Sequence, residues 1–261
     1  MQKTERIIPY RLAVVFLCLT GWLLQDVQQY VFFHREQQQI LAWDADLLFE
    51  RFHGVGGFSL LLAQSLTQFF CIPYMGAVLT AVLALASACL LWMSLRKINA
   101  SVPLFPLCFL PACFELSNLN DAYYQYQGFV AFCLMTLFVA LYAAFLDKLK
   151  RHWRVVFASI LALLLFYWTG PMALVFALYL VVIDAATQQS KKYLTVPLVL
   201  VALTCFYAVR WCWVPTMRTG FSQDFYYNPL VPAPASFKYA WVSVVLLPIV
   251  FWVLKRFHFA H

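Results

Sequence analysis

The chain has 261 residues, 64% of them hydrophobic and 11% charged, with a formal net charge of +7. A soluble domain is nearer ~45–50% apolar and ~25% charged, so this composition argues against a water-soluble core and makes a lipid bilayer the natural solvent. The basic residues fall in short clusters between apolar runs, with no basic stripe. That is the pattern of cytoplasmic membrane loops and argues against a nucleic-acid partner.

A spanning helix needs about 20 apolar residues to cross a ~30 Å core. The N-terminus, MQKTERIIPYRLAVVFLCLTGWLLQD, has a basic start and an apolar run. No small-x-small cleavage site precedes the polar stretch that follows, so an uncleaved first span is expected over about 9–25. With Lys3, Arg6 and Arg11 inside, the loop 26–57 lies outside; it holds five acids against two arginines. An interfacial helix is expected within it over about 40–53. The run 58–94 is too long for one span and short for two. It must cross an odd number of times, because Arg96-Lys97 belongs inside. Pro73 divides it into a span over 74–94 and an interfacial or re-entrant helix over 58–72.

The next spans are expected over 102–116 and 127–146, the second returning to Lys148, Lys150, Arg151 and Arg154. The run 155–186 must cross an even number of times to reach Lys191-Lys192 inside. Gly170-Pro171 at its middle supplies a tight turn, giving helices over 155–169 and 171–186. Spans over 194–210 and 238–254 complete the chain and return to Lys255-Arg256. The expected architecture is all-α: a single integral membrane domain over 1–261 with about eight transmembrane helices and interfacial helices in the first extracytoplasmic loop. Both termini are cytoplasmic in the inner membrane. This arrangement puts 13 of the 18 Lys and Arg inside and 8 of the 11 acids outside. The eight cysteines form no CxxC pair, so they read as small apolar residues rather than a disulfide or zinc framework.

The substantial non-basic loops all fall on the outer face, where any chemistry is expected. The first contains WDADLLFERF. Asp44-x-Asp46 resembles a metal or nucleotide-sugar motif. On a helix, Asp46, Glu50 and His53 fall on one face, where two carboxylates and an imidazole suit a divalent cation such as Mg²⁺ or Mn²⁺. Alternatively, one carboxylate serves as general base, or the stretch is an amphipathic helix whose acids simply face water. The second loop, 115–128, carries Glu115, Asp121, Tyr123, Tyr124 and Tyr126. The tyrosines read either as a sugar platform or as an interfacial belt, while acids this close to a membrane are costly unless paired or used. In the third loop, 210–236, Arg210 and Arg218 sit among aromatics. They suit a lipid diphosphate or interfacial snorkelling. The spans hold no chain of buried Asp, Glu or His of the kind found in proton-coupled pumps. No phosphate-binding loop, zinc-protease or serine-hydrolase motif is present, and the sequence leaves the cofactor and metal open.

The run HREQQQILAWDADLLFERFHGVGGFSLLLAQSLTQFFCIPYMGAVLTAVL, His34 to Leu83, resembles a bacterial family of polytopic membrane proteins known only as a domain of unknown function. The resemblance rests on Glu36-Gln37, Gly56-Gly57, Thr67-Gln68-Phe69 and Gly76-Ala77. YQYQGFVAF at 124–132 and TGPMAL at 169–174 fit more loosely. It implies a short or truncated member of a longer family. The placement and acidity of the first outer loop are also similar to those of type C glycosyltransferases. By that analogy Asp44 or Asp46 is the base, Arg210 or Arg218 holds phosphate, and the partners are membrane lipids and a lipid-phosphate-linked sugar. The alternative is a non-enzymatic transporter or envelope-assembly scaffold. Reporter fusions at Asn120 and Lys192 are expected to report outside and inside respectively. Cytoplasmic activity at Asn120 would overturn the topology.

Overall fold

The computed structural model describes residues 3–39, 41, 43–98, 102–187, 195–211, 214, 216–228 and 239–258. Among them the secondary structure is helical, with no strand and one isolated antiparallel bridge between Tyr124 and Tyr227. The helices are α1 (Lys3–Trp22), α2 (Gln29–Gln38), α3 (Ala45–His53), α4 (Gly57–Thr67), α5 (Met75–Leu95), α6 (Phe109–Asn118), α7 (Tyr126–Phe145), α8 (Arg151–Thr169), α9 (Met172–Ala186), α10 (Val196–Arg210), α11 (Met217–Phe221) and α12 (Tyr239–His258). α1 runs on through a π turn, Leu23–Val27, and α6 is preceded by a 3₁₀ stretch, Val102–Cys108.

Among the described residues, four segments are long and apolar enough to cross a bilayer: Pro9–Val27, Met75–Leu95, Tyr126–Phe145 and Tyr239–Arg256. The helices α9 and α10 have 15 residues each. They rise about 22 Å at 1.5 Å per residue, short of the ~30 Å hydrocarbon core. The first loop is more finely divided than the expected single helix over 40–53. It forms α2 and α3, with Gln39, Leu41, Trp43 and Asp44 among the described residues between them.

The core forms around α5, α7 and α9. Ala77, Ala81, Ala84 and Ala88 recur at helical spacing along α5, each no more than 2% exposed. Small side chains on one face let neighbouring backbones approach closely, and α5 makes its most extensive contact with α7. The two run in the same direction. Thr80, near the start of α5, meets the Tyr126 hydroxyl at the start of α7 at 3.0 Å. Just beyond their C-terminal ends, Lys97 pairs with Asp147 and holds the Asp147 carboxyl below its usual range. α8 and α9 form a hairpin beside them, α10 packs on both, and α12 lies against α6 and α9. α1 is exposed along most of its length and touches mainly α5. Filling the small-residue stripe is expected to strain this contact: Ala84→Leu should cost about 1–3 kcal/mol. Val82→Leu, on a half-exposed face, should change little. Unfolding midpoints in detergent would compare them, and equal midpoints would refute the close-packed stripe.

Candidate functional site

The turns 54–56, 119–125 and 169–171 and the loop 222–228 meet at one end of the bundle. Their meeting point is a knot of backbone and aromatic contacts. α3 ends at His53, and the chain reverses through Gly54-Val55-Gly56 into α4. Gly56 takes φ +76, and Gly170, in the α8–α9 turn, takes φ +77. Side chains rarely tolerate this region of backbone space. Both glycines face the Phe225 ring: a Cβ would come within 2.8 Å of it at Gly56 and 2.9 Å at Gly170. The Gly56 amide donates to Tyr167 O at 2.9 Å. The Gly56 carbonyl accepts from Gln127 Nε2 at 2.9 Å and Ser59 Oγ at 2.8 Å. Next to Phe225, the fully buried Tyr226 hydroxyl donates to Thr169 O at 2.6 Å and accepts from Met172 N at 3.2 Å. Its carbonyl accepts from Gln125 N, and Asn228 N donates to Tyr123 O.

A cavity of about 370 Å³ opens beside this knot, lined by Glu50, Arg51, Gly54, Val55, Gly56, Gly57, Leu60, Gln127 and Phe225. Glu50 is exposed and Arg51 half-buried. They are consecutive, so they project about 100° apart around α3. No ion pair joins them; Arg51 Nη1 instead donates to Gln64 Oε1 at 2.8 Å.

A second polar cluster lies in the α6–α7 connection. Arg35, on α2, is 1% exposed. Its Nη2 donates to Leu119 O at 3.0 Å and Asp121 O at 2.5 Å. Burial pushes its pKa down to about 10, opposed by Tyr124, Asp121 and Tyr227, so it stays charged at neutral pH. Glu115 is fully buried and accepts from the Tyr124 hydroxyl at 2.9 Å and Asn118 Nδ2 at 3.3 Å. Burial raises Tyr124 and Tyr226 well above the usual phenol range and Tyr227 to about 12, so all three remain protonated donors.

Against this frame the expected site residues separate. The Asp44 carboxylate accepts from Asp46 N at 2.9 Å and the Asp44 carbonyl from Leu48 N. Asp44 thereby caps the start of α3. Asp46 is exposed in the first turn. His53, also exposed, sends Nδ1 to Phe49 O at 2.7 Å. No cluster of three or more His, Cys, Asp or Glu among the described residues is placed to hold a metal ion. Asp121 Oδ1 accepts from Tyr123 N at 3.0 Å, so it serves the turn. Arg210 is exposed at the end of α10, and the side chain of Arg218 lies outside the described residues. Of the expected set, Glu50 alone lines the cavity.

Arg51, Gln127, Phe225 and Arg35 were missed from sequence. Arg35 and Arg51 carried a usable signal, since both break the positive-inside pattern as Arg210 and Arg218 do. Gln127 and Phe225 carried none, because only the fold brings them beside Gly56. Removing the buried guanidinium tests the second cluster. Arg35→Ala should lower stability by about 1–3 kcal/mol, since Leu119 O and Asp121 O lose a buried charged donor. An unchanged denaturation midpoint would show that the clamp bears no load.

No curated protein and no solved structure matches the chain. A family model does, over residues 6–261. The chain belongs to DUF6057, a family of unknown function.

Proposed function

We propose that this chain is a multi-pass inner-membrane protein whose knotted end faces the extracytoplasmic side, where it performs a glycosyltransferase-like step on a lipid-linked substrate. The topology rests on charge. The loops meeting at that end are poor in Lys and Arg, while the connections at the α5 and α7 C-termini carry Arg96, Lys97, Lys148 and Lys150. In this reading there are eight crossings. The shorter apolar segments Trp153–Thr169, Met172–Ala186 and Val196–Arg210, together with the 3₁₀ stretch Val102–Cys108 continued by α6, cross as packed helices that local thinning accommodates, and both termini are cytoplasmic.

The observation that carries the activity is the cavity, which presents the Glu50 carboxylate, without a partner among the described residues, next to an apolar wall of Val55, Leu60 and Phe225. Glu50 takes the role first assigned to Asp44 or Asp46. It accepts the proton of an acceptor hydroxyl whose oxygen attacks the anomeric carbon. The bond from that carbon to the lipid phosphate breaks, the phosphate leaves with the electron pair, and Glu50 later releases its proton to water.

A second reading, a non-enzymatic transporter or envelope-assembly scaffold, is favoured by one observation. Asp44 is occupied as a helix cap, and Asp46 and Arg210 lie outside the cavity lining. The two readings diverge for Glu50→Gln, which keeps size and polarity but removes the base. The enzyme reading expects a loss of envelope glycan of 100-fold or more at normal protein abundance. Unchanged glycans in a strain with normal membrane levels of the variant would leave only the scaffold or transporter.

A further inference from the structure

Among the described residues, Arg35, Arg51 and Arg210 lie outside the basic clusters. Arg210 is exposed at a helix end, and Arg35 is fully buried, with Nη2 on two carbonyls. Arg51 differs from both, because it is half-buried and borders a cavity. Its Nη1 is anchored on the buried Gln64 Oε1. The Nε and Nη2 donors make no hydrogen bond among the described residues, so an oriented guanidinium edge is left free. Such an edge matches two oxygens of a phosphate.

Gln127 borders the same space. It is 5% exposed, and its amide orientation is set because the Gly56 carbonyl can only accept. Nε2 is used twice, on Gly56 O and on Ser59 Oγ. Oε1 is left as a fixed acceptor with no partner among the described residues. Glu50 adds a second acceptor on the rim, and Phe225, Val55 and Leu60 supply apolar contact. The backbone of Gly54, Gly56 and Gly57 forms wall without side chains. The cavity lies toward the small end of the ~300–1,000 Å³ range of small-molecule sites, sized for one head group.

We infer that this cavity is a head-group site for a phosphate ester on an apolar lipid, with Arg51 holding the phosphate, Gln127 Oε1 accepting from a head-group donor, and Glu50 on the rim left to the acceptor hydroxyl. This deepens the lipid-linked reading above, rests on it for the lipid, and moves the phosphate contact from Arg210 or Arg218 to Arg51.

The test uses the full chain in lipid nanodiscs with three probes: a polyprenyl monophosphate, the matching polyprenol, and inorganic phosphate. The phosphorylated lipid should bind at least 10-fold more tightly than the polyprenol. Arg51→Gln should abolish that difference and Arg51→Lys retain part of it, because a point charge replaces a fork. Unfolding midpoints would accompany each variant. Should Arg51→Gln fail to fold, the wild-type comparison and Arg51→Lys still decide. Equal binding of polyprenol and polyprenyl phosphate overturns the assignment, as does an undiminished preference in Arg51→Gln. Inorganic phosphate binding as tightly as the lipid overturns the lipid part and marks a soluble phosphate ligand. The glycan assay on Glu50→Gln fails separately: Arg51-dependent binding with unchanged glycans keeps the phosphate site and removes the transfer step.

Discussion

A single phenyl ring, Phe225, closes against two glycine turns at once, and the arrangement of this end of the protein depends on that contact. Gly56 and Gly170 both hold positive φ, and both come close enough to the ring that a Cβ would collide with it. Tyr226 beside it hydrogen-bonds on both sides of the α8–α9 turn, at Thr169 O and Met172 N. The bridge from Tyr227 to Tyr124 reaches the α6–α7 connection. One short loop therefore fixes three helix-to-helix turns relative to one another. The cavity is a by-product of that fixation, since its walls come from α3, the α3–α4 turn, the start of α7 and Phe225 itself.

Buried polar groups at this end are only partly met. An unmet buried donor or acceptor is expensive, and Arg35 Nε and Nη1 and Glu115 Oε1 have no hydrogen-bond partner among the described residues. Arg35 spends one nitrogen on two carbonyls of the α6–α7 turn. Glu115 is satisfied on one oxygen by Tyr124 and Asn118. The same logic separates Arg51 from Arg35. Arg35 is shut in at 1% exposure with Nε and Nη1 unpartnered among the described residues, whereas Arg51 is half-buried, anchored through Nη1 on Gln64, and borders the cavity. A buried cation committed to carbonyls is architecture; an anchored cation at a cavity is a place for an anion.

The acids of the WDADLLFERF stretch are all exposed and divide by what each side chain contacts. Asp44 does what a residue before a helix commonly does: its carboxylate accepts from Asp46 N and stabilises the first turn. His53 folds back onto Phe49, with ring centroids 4.0 Å apart. Only Glu50 lies one turn further along α3 on the side where the cavity opens. The i, i+4, i+7 spacing that put Asp46, Glu50 and His53 on one face was sound as helix geometry. It could not say which end of that face meets the rest of the protein.

The sequence by itself determined the apolar, all-helical architecture and most helix positions. Apolar runs broken by Pro73, Gly170-Pro171 and basic clusters leave few ways to place helices. It also flagged Glu115 and Asp121 as acids needing partners, and partners were found within a few residues, at Asn118, Tyr123 and Tyr124. The candidate site belongs to tertiary structure. Gln127 meets Gly56 across 71 positions and Tyr226 meets Thr169 across 57, and no local pattern encodes such a meeting. Side chains as ordinary as a Gln at the start of an apolar helix and a Phe in a polar loop acquire a role only when packing sets them around the same empty volume.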